Sequence, residues 1–522
     1  MWSRVRPGVV GRMPSQSNLT AADAQAMLER AQRDPVWWVR DILGAEPWSK
    51  QCEMLESLRD NPKTVAKAGH GVGKSWLVAR GSLWYLMCHP NSLVITTAPT
   101  YRQVRDIVWR EIRTAHAQSR KPLGGKLLPV EPRLTLGDGW LAFGFATRVP
   151  DAFQGLHASH VLVVPDEGPG IPAPIWEAIE GVLSSGNTRL FTIGNPVDPT
   201  GPFFDLCRPG SGAKVFTISA FDTPNFTTYG ITPETIADGT WRERITGPLP
   251  APYLVTPEWV AGRHQRWGPT SPMYLSRVLG EFPQSATDAL IPLAWVERAQ
   301  ARWESERDEE PSGLSVIGGD VARFGSDESV CIHRRGHRAD ILWTSTLEDT
   351  MQTAGRFAAS MRQCDPDVTA IDEIGIGAGV VDRLKEVQRE DRLPGRVVGL
   401  ISGSAARDNE HYANARAEWW WGLRERFEAG DIAIPPDEEL AAQLTSIKYR
   451  PNSRGQIILE SKDDMRKRGL PSPDRADTLM LAFAAPDLSG TFLLPGGGPR
   501  KAKRDFDSFP EIPRQRQGRK WL

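Results

Sequence analysis

The stretch Ala68-Gly69-His70-Gly71-Val72-Gly73-Lys74-Ser75 constrains this chain more than any other. It lies between KTVAKA, a short β-rich run, and SWLVAR, the start of a helical one. A glycine-rich turn in that setting reads as a phosphate-binding loop. Gly69, Gly71 and Gly73 let backbone N–H groups turn inward around phosphate oxygens, and the following helix N-terminus adds its positive end. Ala68 stands where the pattern begins with glycine, and His70 and Val72 complete the loop. Lys74 would reach the β- and γ-phosphates of ATP, and Ser75 would ligate Mg²⁺.

Such a loop needs an acidic partner at the end of a nearby strand. Val161-Leu162-Val163-Val164-Pro165-Asp166-Glu167 supplies one. Four apolar residues make a buried strand, with carboxylates at its C-terminal edge, where open α/β sheets bind ligands. Asp166 would hold Mg²⁺ through water, and Glu167 would orient and deprotonate the attacking water. Asn195 ends the next strand (TIGNP) and would sense the γ-phosphate; an ordinary Gly-Asn-Pro turn reads the same way. Gln51 precedes a helix and would pair with adenine, since an amide both donates and accepts along one edge.

From about residue 35 to 224 the runs KTVAKA, SLVITTA, WLAFGFA, HVLVVPD and TRLFTIGN are brief and apolar, as strands of a doubly buried parallel sheet are. Helical runs lie between the first of them. The pattern predicts a P-loop ATPase domain with a parallel sheet, of the ASCE type, over 35–224, after an N-terminal arm and helix at 1–34. Residues 225–310 are richer in Pro, Gly and Trp and read as a lid and linker. A chain of 522 residues exceeds one core, and a second domain is expected over 311–488. There three strand candidates come first (LSVIGGDVA, SVCIHRR, ADILWTSTL), followed by alternating helix and strand. That is the order of a ribonuclease-H-like α/β domain. Residues 489–522 form a basic tail, with eight Lys or Arg against three acids after Pro495. The formal net charge of −1 offers no global basic field, so any nucleic-acid surface must be local. Five scattered cysteines without a CxxC pair argue against a zinc ribbon and a disulfide framework. No apolar run is long enough to span a membrane.

The second domain carries its own acids. Asp320 ends its first strand and Asp372 a later one; Asp474 and Asp477 open the final helix. In the three-strand-first topology the strands of Asp320 and Asp372 are neighbours. Converging carboxylates of this kind bind Mg²⁺ or Mn²⁺, and two such ions activate water and stabilise the leaving oxygen of a phosphodiester. Asp477, one turn into the helix, is preferred as third ligand over Asp474, which also suits a helix cap. Asp327 is an accessory acid near Asp320.

These motifs, in this order, resemble the large terminase subunits of tailed bacteriophages over roughly residues 35–486. AKAGHGVGKS, TTAPTYRQVRDIVWREI, FQGLHASHVLVVPDEG, TIGNP, VLGEFP, GGDVARFGSDES, IDEIGIGAGVVDRL and KDDMRKRGLPSPDRADTL carry the likeness. The resemblance implies an ATP hydrolase that moves double-stranded viral DNA into a procapsid. It also implies a metal-dependent endonuclease that cuts concatemeric DNA. It implies a portal protein and a small terminase subunit as partners, and a homo-oligomeric ring, usually of five. The implied place is the cytoplasm of the infected bacterium, not the mature virion. Carried over, Lys74, Ser75, Asp166 and Glu167 match the ATPase motifs, and Asp320, Asp372 and Asp477 the nuclease acids. A ring motor needs an arginine that reaches a neighbour's ATP. Arg148 is the candidate, with Arg102 and Arg105 as alternatives, because this chain has Gln154-Gly155 where many relatives place Arg-Gly. The basic tail would touch the portal or DNA, or only solubilise. The alternative reading is an ATP-dependent helicase or repair ATPase fused to a nuclease, which would be expected to show a second motor core.

Overall fold

Runs rich in Val, Ile, Leu and Phe become strands because β-branched and aromatic side chains fit a pleated, buried surface. The computed structural model describes residues 21–484 apart from 147–148, 154, 185, 284–288, 323–326, 347–348 and 453. Arg148, Gln154 and the basic tail lie outside the described residues. Packing divides the chain into two units: residues 1–297 with 437–450 and 459–473, and residues 298–436 with 451–458 and 474–522. Boundaries drawn continuously along the sequence leave 437–450 and 459–473 in the second domain; by contacts they belong with the first.

The first unit is built on β1 (Lys63–Ala68), β2 (Ser92–Thr97), β3 (Lys126–Leu127), β4 (Arg133–Gly137), β5 (Trp140–Gly144), β6 (His160–Pro165), β7 (Thr188–Gly194) and β8 (Lys214–Ile218). They form one sheet in the order β3-β4-β5-β2-β6-β7-β1-β8. All pairings are parallel except β3–β4 and β4–β5. Every residue of β2 is buried, as expected of a strand covered on both faces. The core on one face gathers Val65, Ile95, Val163, Ile175, Trp176, Leu190 and Phe203. Each such side chain contributes about 1.5–3 kcal/mol by leaving water. The helix Lys74–Cys88 is apolar almost all round, burying Leu77, Leu83, Trp84, Tyr85 and Leu86, which marks it as internal.

The second unit holds β9 (Ser315–Asp320), β10 (Ser329–Arg335), β11 (Arg338–Ser345), β12 (Val368–Asp372) and β13 (Arg396–Leu400). Their order is β11-β10-β9-β12-β13. β10 runs antiparallel to both neighbours, and β12 runs parallel to β9 and β13. A meander followed by parallel crossovers is the ribonuclease-H-like fold. Helices Thr350–Cys364 and Gly377–Asp391 pack through Phe357, Met361, Val380 and Leu384.

Two adjacent glycines make the layers possible. A side chain at Gly318 would stand 2.7 Å from the Thr478 carbonyl and 2.8 Å from the Ala482 Cβ. The helix Asp474–Ala484 therefore lies directly on β9. A side chain at Gly319 would strike the Phe357 ring at 2.5 Å, so the opposite face receives the helix Thr350–Cys364. No described helix is long and apolar enough to cross a membrane.

Candidate nucleotide site and candidate nuclease site

The phosphate-loop sequence leaves β1 and enters the helix Lys74–Cys88 through two left-handed glycines, Gly71 (φ 67°) and Gly73 (φ 86°). Only glycine adopts that backbone without penalty, and the turn it permits aims N–H groups at one point. β7 lies between β1 and β6. Three strand ends therefore meet: Ala68 leading into the loop, Gly194 leading to Asn195, and Pro165 leading to Asp166 and Glu167.

Side-chain geometry ties these ends together. Lys74 Nζ donates to Asn195 Oδ1 at 2.8 Å and to the Gly69 carbonyl at 3.1 Å, with Glu167 Oε1 at 3.7 Å. Asn195 Nδ2 donates to the Ala68 carbonyl at 2.7 Å. Its carboxamide thus spans loop and lysine at once. Asp166 is almost wholly buried, and its Oδ1 has no hydrogen-bond partner among the described residues. Burial first, and then neighbouring Glu167, push its carboxyl up to about 7, while Lys74 opposes the shift. A buried oxygen of this kind is what a cation would satisfy, so Asp166 with Ser75 fits Mg²⁺.

Glu167 is left-handed at φ 50°, ψ 52°. A non-glycine residue there costs on the order of 1–3 kcal/mol. Asp166 N–H is fixed to the Thr97 carbonyl at 2.8 Å. A side chain at Gly168 would meet Phe203 at 2.5 Å, and one at Gly194 would meet Pro169 at 2.4 Å. The crowded turn holds the Glu167 carboxylate toward Lys74, where an acid or base would be wanted.

Gln51 also reaches the loop, though differently from the sequence expectation. It is 4 % exposed, donates to the Gly73 carbonyl at 3.3 Å and accepts from Trp48 N–H at 3.3 Å. Both ends of its amide brace the helix entry, and pairing with adenine would require it to release them. Of the arginines considered for a neighbour's site, Arg105 is paired through two nitrogens with Asp106 at 2.7 and 2.9 Å. Arg148 lies outside the described residues.

In the second unit the parallel register aligns Gly319 with Ile371, which sets Asp320 and Asp372 side by side at one sheet edge. Asp372 Oδ1 accepts from Ile374 N–H at 3.1 Å. The helix Asp474–Ala484 lies over β9, but its two acids are engaged elsewhere. Asp474 Oδ2 accepts from Glu328 N–H at 2.8 Å. Asp477 Oδ1 accepts from the Trp420 indole at 3.1 Å, with Arg416 at 3.5 Å. Among the described residues no three acidic, histidine or cysteine side chains converge as a metal cluster. The geometry thus assembles the Asp320–Asp372 pair and leaves Asp474 and Asp477 outside a common cluster with it. The donors are hard oxygens suited to Mg²⁺ or Mn²⁺.

Sequence reading missed Trp420 and Arg416 as partners of Asp477, since they come from a separate helix, Ala415–Ala429. The Gly-Gly before Asp320 was the available signal for a close helix approach.

No family model matches the chain. In sequence it is similar to a probable terminase, large subunit, of Enterobacteria phage P7, 27% identical over 487 residues, 85% of this chain and 89% of that protein. Among solved structures, the large terminase of bacteriophage HK97 overlaps 87% of this chain and 99% of its own at 11% identity, TM-score 0.34. The nuclease domain of the large terminase subunit gp2 of bacterial virus Sf6 overlaps 37% of this chain and 97% of its own at 22% identity, TM-score 0.34. The large terminase nuclease of thermophilic phage G20c with bound magnesium overlaps 33% and 82% at 18% identity, TM-score 0.26.

Proposed function

We propose that this chain, a relative of the large terminase subunits of tailed bacteriophages, uses ATP hydrolysis to move double-stranded viral DNA into a procapsid and cuts that DNA at a second site. The observation that supports this most is the meeting of Lys74, Asn195 and Glu167 at adjoining strand ends. Lys74 exchanges Asn195 and the Gly69 carbonyl for β- and γ-phosphate oxygens of ATP. Loop N–H groups and the helix N-terminus hold the remaining phosphate charge. Asp166 and Ser75 hold Mg²⁺. Glu167, fixed by its strained turn, orients the attacking water and takes its proton. Asn195 changes partner when Lys74 moves, and so reports phosphate occupancy to the loop.

In the second unit Asp320 and Asp372, with Asp477 or Asp474 as third donor, would hold Mg²⁺ or Mn²⁺. Bound there, the ions supply Lewis-acid activation of water and charge for the leaving oxygen. Bringing a third aspartate in requires Asp477 to leave Trp420 or Asp474 to leave Glu328. The working assembly is a homo-oligomeric ring on the portal protein, with a small terminase subunit selecting the DNA, in the cytoplasm of an infected bacterium. Arg148 of a neighbouring copy is the candidate trans-acting arginine.

Two variants of the full chain separate the two chemistries. Lys74→Ala is expected to lose ATPase activity and keep Mn²⁺-dependent plasmid cleavage; Asp320→Ala is expected to do the reverse. If Lys74→Ala turns over ATP like the parent, the nucleotide assignment fails. Undiminished cutting by Asp320→Ala removes the nuclease assignment.

A further inference from the structure

The phosphate-loop sequence is braced from outside by Arg277 and Val278, at the start of the run VLGEFP. His70 N–H donates to the Arg277 carbonyl at 2.7 Å. A side chain at Gly69 would run into the Arg277 and Val278 carbonyls at 2.9 and 3.0 Å. The Arg277 backbone therefore touches the loop itself.

Arg277 is buried, 8 % exposed, and its guanidinium sits between two carboxylates, Glu297 at 3.3 Å and Glu438 at 3.9 Å. Both separations are long for charge-assisted hydrogen bonds, which run at about 2.7–2.9 Å. Arg277 Nε is buried with no hydrogen-bond partner among the described residues. Glu438, in contrast, is closely held by Arg263, whose guanidinium lies between the Trp259 and Trp267 rings at 5.1 and 5.0 Å. Arg277 is thus a buried cation held loosely, beside the close Arg263–Glu438 pair.

The other side of the loop completes the picture. Burial, then Lys74, then Arg277 hold the His70 imidazole well below its usual range, against a hydrogen bond with Asn195. A neutral histidine therefore lies within the field of both cations. Contacts run from Lys74 through Asn195 and His70 to Arg277, and on to Glu297 and Glu438.

We infer that the Arg277 guanidinium is shared between Glu297, Glu438 and the γ-phosphate of bound nucleotide. Resting on the ATP reading of the loop, this assigns the two carboxylates as competitors of the nucleotide. The extra charge of a triphosphate draws the guanidinium from Glu297, and the diphosphate leaves it there. Movement of Arg277 passes to the loop through the carbonyl that accepts from His70 N–H.

Calorimetric titration of the full chain with a non-hydrolysable ATP analogue and with ADP, Mg²⁺ present, tests this. Glu297→Gln removes a competitor and is expected to tighten the triphosphate by about threefold or more, with ADP little changed. Arg277→Gln is expected to weaken the triphosphate by about tenfold while ADP shifts far less. Equal weakening of both nucleotides would reduce Arg277 to a structural brace and overturn the inference. So would unchanged or weaker triphosphate binding by Glu297→Gln. Should Arg277→Gln fail to fold, Arg277→Lys and Glu297→Gln decide. A parent chain that binds neither nucleotide would overturn the ATP reading as well, and is told apart by that control.

Discussion

Gly318→Ala adds one methyl where β9 meets the helix Asp474–Ala484. The new carbon would lie 2.7 Å from the Thr478 oxygen, 2.8 Å from the Ala482 Cβ and 2.9 Å from the Ala482 nitrogen. Two of these are backbone atoms, so no side-chain rotation relieves the clash. Restoring ordinary separations needs the helix to retreat by roughly 0.7–1 Å. Overpacking of that kind costs about 1–3 kcal/mol, or about 2–12 °C in the melting of a unit this size. The displaced helix carries Asp474 and Asp477, and β9 carries Asp320. A misplacement near 1 Å at a reacting centre lowers rates on the order of 100-fold. The variant should therefore melt early and lose Mn²⁺-dependent plasmid cleavage, while its ATPase rate stays at the parent level. Gly355→Ala is the control. Gly355 lies within the helix Thr350–Cys364 with nothing near a built Cβ, and alanine there should add up to ~1 kcal/mol. A Gly318→Ala protein that melts with the parent and cuts as fast would refute the packing argument.

Other outcomes follow from the same geometry. Glu167→Gln keeps the turn and the hydrogen-bonding shape but removes the base. Phosphate release should fall by about 100-fold or more with nucleotide still bound, and a normal turnover number would exclude Glu167 as the base. His89 stacks on Tyr85 at 4.2 Å, and burial holds its imidazole down to about 4. The unfolded chain takes a proton near pH 6.5 that the folded chain refuses. Stability is therefore whole above that value and declines as pH falls toward 4, by up to ~3 kcal/mol. Urea midpoints at pH 7 and pH 5 should separate less in His89→Phe than in the parent; identical separations would rule His89 out.

Much of this architecture is visible in residue order. Strands β1, β2, β5, β6 and β7 announce themselves as short apolar runs bounded by turns. β4 and β8 do not. β4 is an antiparallel strand in which only Leu134 is buried, and β8 follows a Ser-Gly-rich turn with an exposed start. The candidate nucleotide residues are legible because one loop and two strand ends lie in local motifs. The candidate metal-binding acids Asp320 and Asp372 are legible only as a pair, since β9–β12 pairing follows from topology. Whether Asp474 or Asp477 joins them depends on Trp420, Arg416 and Glu328, whose approach is tertiary. Arg277 was not singled out in the sequence because its contacts with the loop, Glu297 and Glu438 are all tertiary. Asp437, which caps the helix Glu438–Ser446 by accepting from Leu440 N–H at 2.7 Å, was a readable start signal that passed unread.

That helix belongs by contacts to the first unit, although it is encoded late in the chain. Leu440, Leu444 and Ile447 are fully buried, and its neighbours include the helix Pro257–Trp267 and the segment Pro272–Tyr274. A gene trimmed at codon 298 to express the second unit would still specify these residues but not the surface that shelters them. The recombinant fragment would carry a bare greasy stripe into solution, and replacing the excursion with a short soluble connector is the rational way to crystallise that unit alone.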